Sequence, residues 1–201
     1  EVIRAVSDAL EKIGGNPGRA GHEGALAGGR ILEECREAVM GLAGLAQPEQ
    51  AIFCFNCTDA LNLAIKGSLR VGDHVVATAL EHNSVLRVLG GLAARGRIAF
   101  TLVKPRSDGF VDPSDMREAI TPQTSLVICT HASNVTGAIQ PVAAIGQIAR
   151  ERGVRYLVDG AQALGAMPVN VTALGCDLYA FPGHKSLLGP QGTGGLWIGK
   201  A

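Results

Sequence analysis

Ser125-Leu126-Val127-Ile128-Cys129-Thr130, a helical pattern over residues 141–152, and then Arg155-Tyr156-Leu157-Val158-Asp159 form the stretch that decides the fold. The centres of the two short runs, Val127-Ile128-Cys129 and Tyr156-Leu157-Val158, are apolar throughout and suit strands buried on both faces. A strand, a helix and a second strand of this kind imply two parallel strands joined by a crossover helix. The alternation extends outward in both directions. Apolar runs of strand length stand at residues 51–55, 74–79, 98–103, 177–181 and 195–198, and helical patterns at 59–69, 84–94 and 113–120. Pro113 and Pro141 open two of the helices, and Asp112 is placed to cap the first of these. Residues 23–45 read as a long helix behind a Gly/Asn/Pro turn at 14–18. The last two apolar runs have no helix between them, which predicts an antiparallel pair. The fold class is α/β, a mostly parallel sheet covered by helices.

Composition agrees with a packed enzyme-sized domain. Of 201 residues, 47% are hydrophobic and 18% charged, ample for a core in one domain or slightly more. Basic and acidic residues balance at 18 each, so nothing favours coating a nucleic acid or an anionic membrane. The 27 glycines and 9 prolines form no low-complexity run, which excludes collagen-like and disordered classes. No apolar stretch approaches the roughly 20 residues that span a bilayer, and Glu1-Val2-Ile3-Arg4 is no signal peptide. Cysteines at 35, 54, 57, 129 and 176 are odd in number and lie mostly in apolar runs; they read as reduced core thiols of a cytoplasmic protein. A first residue that is not Met, and an end directly after an apolar run, read as a piece of a longer protein.

In such sheets, ligands bind beyond the carboxyl ends of the strands. The residues there are Asn56-Cys57-Thr58, Glu81-His82-Asn83, 131–137, Asp159-Gly160-Ala161-Gln162 and Gly183-His184-Lys185, and they hold nearly every reactive side chain. No G-x-G-x-x-G follows the first strand, and Gly183-His184-Lys185-Ser186 lacks the upstream glycine of a P-loop, so nucleotide binding has no motif to stand on. Cys54-x-x-Cys57 has the spacing of half a zinc site that His82 or His131 would complete. However, Cys54 lies inside an apolar run, Cys57 begins a helix and no second pair exists, so no metal is expected. Lys185 fits a third chemistry. A lysine nucleophile must lose its proton and be held still, which a glycine-bounded loop at a sheet edge allows. The plainer alternative is a solvated charge, the reading given to Lys12, Lys66, Lys104 and Lys200. Asp159, closing an apolar strand, suits a metal ligand, a helix cap or the partner of a cationic ring nitrogen. An enzyme using pyridoxal 5′-phosphate needs the last role, because the carboxylate keeps the ring nitrogen protonated. The turn Asn56-Cys57-Thr58, opening a helix at Asp59, offers amides and a hydroxyl to that cofactor's phosphate. His74 and His131 read as structural.

Five segments together carry a resemblance: Asn56-Cys57-Thr58-Asp59-Ala60-Leu61-Asn62, Glu81-His82-Asn83-Ser84, Ser133-Asn134-Val135-Thr136-Gly137, Asp159-Gly160-Ala161-Gln162, and Gly183-His184-Lys185 with Gly189-Pro190-Gln191-Gly192. In this order, each behind a predicted strand, the chain resembles the class V aminotransferase-like branch of fold-type I pyridoxal-phosphate enzymes, and most closely the cysteine desulfurase and selenocysteine lyase group. The resemblance implies a fold-type I large domain with helices on both faces of the sheet. It implies that Lys185 carries the cofactor as a Schiff base and moves protons, that Asp159 partners the ring nitrogen, and that His82 stacks on the ring as an acid or base. Gln162 matches the residue on the ring's phenolic oxygen, Asn134 one on the ring or the substrate carboxylate, and Thr58, the Cys57 backbone and His184 the phosphate contacts. His22, in Asn16-Pro17-Gly18-Arg19-Ala20-Gly21-His22, resembles a loop residue near the substrate.

The reaction so implied removes sulfur (or selenium) from L-cysteine (or selenocysteine) to leave L-alanine, in a cytoplasmic homodimer that serves a sulfur-acceptor protein and iron–sulfur cluster assembly. Residues 1–50 would form an N-terminal helical segment and 51–201 the cofactor-binding large domain, without the small C-terminal domain. The family's persulfide-forming cysteine, its carboxylate-binding arginine and a phosphate contact from the partner subunit would belong to that missing part. Two departures stand out. Pro182 replaces a Ser or Thr frequent in relatives, removing a phosphate donor, and Cys57-Thr58 stands where many relatives have two threonines. Rival readings are another class V lyase or aminotransferase, or a non-catalytic α/β module binding metal through Cys54, Cys57 and His82.

Overall fold

The computed structural model describes residues 1–18, 21–45 and 47–199; Arg19 and Ala20 of the N-terminal loop, and the surface reading of Lys200, lie outside them. Two helices, α1 (Val2–Lys12) and α2 (Glu23–Leu42), precede a regular alternation. It runs β1 (Ala51–Cys54), α3 (Cys57–Ser68), β2 (His74–Thr78), α4 (Asn83–Ala94), β3 (Ala99–Val103), α5 (Pro113–Ala119), β4 (Thr124–Thr130), α6 (Val142–Glu151), β5 (Arg155–Asp159), α7 (Val171–Leu174), β6 (Leu178–Pro182) and β7 (Gly194–Ile198). The strands form one sheet in the order β1-β7-β6-β5-β4-β2-β3. All neighbours from β3 through β6 pair in parallel, while β7 is antiparallel to both β6 and β1.

The expected antiparallel pair at the end of the chain is present, but its setting differs from a terminal hairpin. β7 inserts between β6 and the N-terminal strand β1, with Ala51 opposite Trp197 and Cys54 opposite Gly194. Gly194 to Trp197 thus pair on both sides, and Leu196 is fully buried. Further differences are local. α3 begins two residues early because Asn56 caps it, its side chain accepting the Asp59 amide at 2.9 Å. Pro113 does open a first turn, but Pro141 is itself the residue preceding α6. α1 has no buried residue, and its apolar positions Val2, Ile3, Val6 and Leu10 are exposed. Of the five thiols, Cys35 is exposed on α2 and Cys54 half-buried, leaving Cys57, Cys129 and Cys176 in the core.

Helices cover both faces for a topological reason. The crossover from β2 to β3 runs one way along the sheet, whereas those from β4 to β5 and β5 to β6 run the other way. With right-handed connections, opposite directions place α4 on one face and α6 on the other. The core accordingly divides in two. One cluster sets Leu61, Ile65, Val85 and Leu89 of α3 and α4 against Val75, Leu126, Ile128 and Leu157. The other sets Met116, Val142, Ile145 and Val171 of α5, α6 and α7 against Val76, Val127, Tyr156 and Val158. The direction reverses between β2 and β4. Their connections leave on opposite faces there and open a crevice at the carboxyl ends. No helix among the described residues is long and apolar enough to cross a membrane.

Candidate active site

A cavity of about 380 Å³ opens at that crevice. Its walls come from the start of α3 (Cys57, Thr58), the start of α4 (His82, Ser84), the segment after β4 (Ala132, Asn134), the end of β5 (Asp159, Ala161, Gln162), and the turn after β6 (His184, Lys185). The structure thereby brings together all eight residues that the sequence nominated for the cofactor: Cys57, Thr58, His82, Asn134, Asp159, Gln162, His184 and Lys185. His22 is not among them. It caps α2, its Nδ1 accepting the Ala25 amide at 3.2 Å. A wider recess of about 690 Å³ lies at the amino ends of the strands, and its carboxylate, Asp177, is engaged by the Tyr156 amide at 2.8 Å.

Asp159 is the floor. It is 2% exposed, and its Oδ1 accepts the Ala161 amide at 2.9 Å and the Cys57 thiol at 3.4 Å. No hydrogen bond reaches its Oδ2 among the described residues. Burial pushes the carboxyl above its usual range, opposed by the Ala161 amide, the Cys57 thiol and the nearby His82 and Lys185 side chains. Gly160 follows because a Cβ there would lie 2.2 Å from the Tyr179 ring. The first turn of α3 stands opposite, with the Cys57 and Thr58 amides preceding the helix's own bonding ladder. Gly194 of β7 packs so closely on this turn that a Cβ would come within 2.7 Å of the Asn56 backbone.

Lys185 is exposed, more open than a desolvated nucleophile would be, yet its backbone is held. Gly183 donates to Thr193 at 2.8 Å, Gly189 to Gly183 at 2.8 Å and Leu188 to Lys185 at 2.9 Å. Leu188 adopts φ 58°, a left-handed conformation uncommon outside glycine. Buried Pro182 brings no donor to the wall, while the buried Nδ1 of His184 lacks any partner. His82 caps α4. Its Nδ1 accepts the Ser84 amide at 3.1 Å and lies 2.7 Å from the Ser84 hydroxyl. An amide N–H only donates, so Nδ1 is an acceptor and the ring carries its proton on Nε2. His131 and His74 do structural work as expected, bonding Tyr179 and a pair of threonines.

Glu81, to which the sequence assigns no role, has one in the structure. It bridges the crevice between β2 and β4, its Oε1 accepting the Thr78 hydroxyl at 2.6 Å and the Thr130 amide at 2.8 Å. Its Oε2 is buried and unpartnered. Burial pushes the carboxyl up to about 8 against the pull of these donors, with nearby Asp159 adding to the rise. Between the ordinary carboxylate range and pH 8, Glu81 is therefore ionised in the unfolded chain and protonated in the folded one. The folded state binds the extra proton, so stability falls as pH rises across that window, by up to about 1.4 kcal/mol per unit. Urea melts at pH 6 and pH 8 should show this loss in the wild type and a much flatter profile in Glu81→Gln. Equal slopes would refute the assignment.

Among the described residues, no three His, Cys, Asp or Glu side chains gather as metal ligands would. The family model described as Aminotransferase class-V matches residues 1–201. A probable cysteine desulfurase of Methanothermobacter thermautotrophicus is 40% identical over 197 residues, 98% of this chain and 49% of the relative. The cysteine desulfurase IscS of Photorhabdus laumondii is 33% identical over 92% of this chain and 46% of its own length. Among solved structures, the apo cysteine desulfurase of Thermococcus onnurineus superposes with a TM-score of 0.90 at 33% identity, covering 99% of this chain and 50% of that one. SspA in complex with cysteine gives 0.92 at 28% identity, covering 98% and 57%. The chain spans about half the length of the curated relatives it matches.

Proposed function

Since the chain belongs to the aminotransferase class-V family, we propose that it is the pyridoxal-phosphate-binding part of an enzyme that removes sulfur or selenium from L-cysteine or selenocysteine and leaves L-alanine. One observation carries the reading: eight residues scattered from Cys57 to Lys185 line a single cavity over a buried carboxylate. These residues fit the cofactor. Asp159 is a buried acid without a cation bonded to it, and a protonated ring nitrogen would satisfy the Oδ2 that the chain leaves open. The first-turn amides of Cys57 and Thr58, with the Thr58 hydroxyl, suit a phosphate at the positive end of α3. His184, whose Nδ1 is buried without a partner, has a bond to offer the same group.

When bound, the cofactor supplies an electron-poor ring that stabilises negative charge at the α-carbon of the amino acid. Lys185 Nζ would hold it covalently and, as the amine of the cavity, would carry a proton to or from that carbon. His82 presents Nε2–H with its ring orientation set by Ser84. Gln162 and Asn134 supply neutral donors for the phenolic oxygen and the substrate carboxylate. On this reading residues 51–201 are the cofactor domain and 1–50 a helical lead-in. The three buried thiols suit a reducing cytoplasm, and the complete protein works as a homodimer that passes sulfur to an acceptor protein. The test is to give the full-length protein pyridoxal phosphate with L-cysteine or L-selenocysteine. Alanine should form in step with released sulfide or selenide. Transfer of the amino group to a 2-oxo acid, with no sulfide, would overturn the reading in favour of an aminotransferase.

A further inference from the structure

We propose that Cys57 is a positioning residue for Asp159: its thiol, donating to Oδ1, holds the carboxylate turned so that Oδ2 is left for the ring nitrogen. The last part rests on the cofactor reading; the contact itself does not. The Sγ–Oδ1 distance is 3.4 Å between side chains that are 8% and 2% exposed, so water does not compete for the bond. The Ala161 amide meets the same oxygen at 2.9 Å from the other side of the sequence. With two donors on Oδ1, one from α3 and one from the turn after β5, the carboxylate does not rotate without breaking both.

The donor is retained at neutral pH. Burial, together with the Asp159 charge, pushes the Cys57 thiol well above its ordinary value, so it stays S–H. A thiol so held is a poor nucleophile, which separates this role from carrying sulfur. Cys57 also occupies the first turn of α3, where its backbone amide is free for an anion. One residue thus joins the two ends of the cavity, an amide for the phosphate and a side chain for the group beneath the ring. A cysteine placed there only as a small core residue would fill space and leave the acidity of Asp159 alone, and this difference is measurable.

Carbon NMR of the cofactor-free chain, labelled at its aspartate carboxyls and assigned with Asp159→Asn, follows the titration of Asp159. In Cys57→Ala it should move to higher pH than in the wild type, because a donor to the charged form is lost. The infrared S–H band that disappears in Cys57→Ala should move to higher frequency in Asp159→Asn, a readout that does not need the alanine variant to bind anything. Pyridoxal-phosphate affinity should fall about fivefold in Cys57→Ala, as expected for one weak donor to a charged acceptor. An unmoved Asp159 titration, or an S–H band indifferent to Asp159→Asn, would overturn the proposal, as would a shifted titration with unchanged affinity. If no variant binds pyridoxal phosphate, the proposed function fails, while the titration still decides whether Cys57 acts on Asp159.

Discussion

Replacing Lys185 by alanine is expected to abolish covalent capture of pyridoxal phosphate, taking it from one per chain to background. Lys185 is the one lysine on the wall of the cavity among the described residues. Lys12, Lys66 and Lys104 are exposed and do not line that cavity. The turn that presents Lys185 is held by main-chain bonds from Gly183, Leu188 and Gly189, none of which needs the lysine side chain. Truncating an exposed side chain there should change stability by no more than about 0.5 kcal/mol. The visible band that appears on adding the cofactor, and the added mass that borohydride fixes on the Lys185 peptide, should both vanish in the variant. Weak non-covalent binding should persist. Capture that survives at full yield, mapped to another lysine, would sink the assignment of Lys185.

Asp159→Asn should produce the second largest effect, and in two opposite directions. In the cofactor-free chain the Asp159 carboxyl is raised by burial, so above the ordinary carboxylate range the folded state takes up protons that the unfolded state has released. That difference lowers stability as pH rises, and the neutral amide removes it. Asn keeps an oxygen for the Ala161 amide and the Cys57 thiol, so the cofactor-free variant should melt at or above the wild-type temperature at pH 7. Cofactor binding should change the other way. An amide offers no charge to a protonated ring nitrogen, and losing a buried, charge-assisted bond costs about 3 kcal/mol, or roughly a hundredfold in affinity. Thermal melts with and without pyridoxal phosphate show both effects in one experiment. A variant both less stable and equally tight in binding would mean that Asp159 is a structural cap.

Much of this site was legible because of where strands end. Asp159, His82, Asn134 and Lys185 each stand just beyond an apolar run, and a parallel sheet brings such positions to one edge whatever their spacing in sequence. What escaped notice depends on which strands become neighbours. Glu81 matters because β2 and β4 part company beside it, and periodicity within either strand does not reveal that. Ser84 acts through a turn of two residues, whose only sequence signal is a histidine followed by a hydroxyl. The Cys57–Asp159 contact joins positions 102 residues apart. In the fold, the missing helix between the last two strands exposed the antiparallel pair, but nothing local marks β7 as the strand that separates β6 from β1. α7, at four residues, is too short for a helical period to register.

The placement of β7 also sets an order of events during synthesis. β1 leaves the ribosome early, yet its ladder partners, Gly194 to Trp197, follow about 140 residues later, a delay of roughly 7–30 s at ordinary elongation rates. Through that interval β2 to β6 and their helices hold all they need to assemble, with β6 as the open edge, while Ala51–Cys54 waits without its ladder partner. The start of α3 gains its packing against Gly194 only at the end. The nascent chain therefore completes its hydrophobic layers before its ligand-binding mouth. A ribosome stalled short of residue 194 would carry a folded sheet with an open, adhesive margin, the stage at which a chaperone has most to protect.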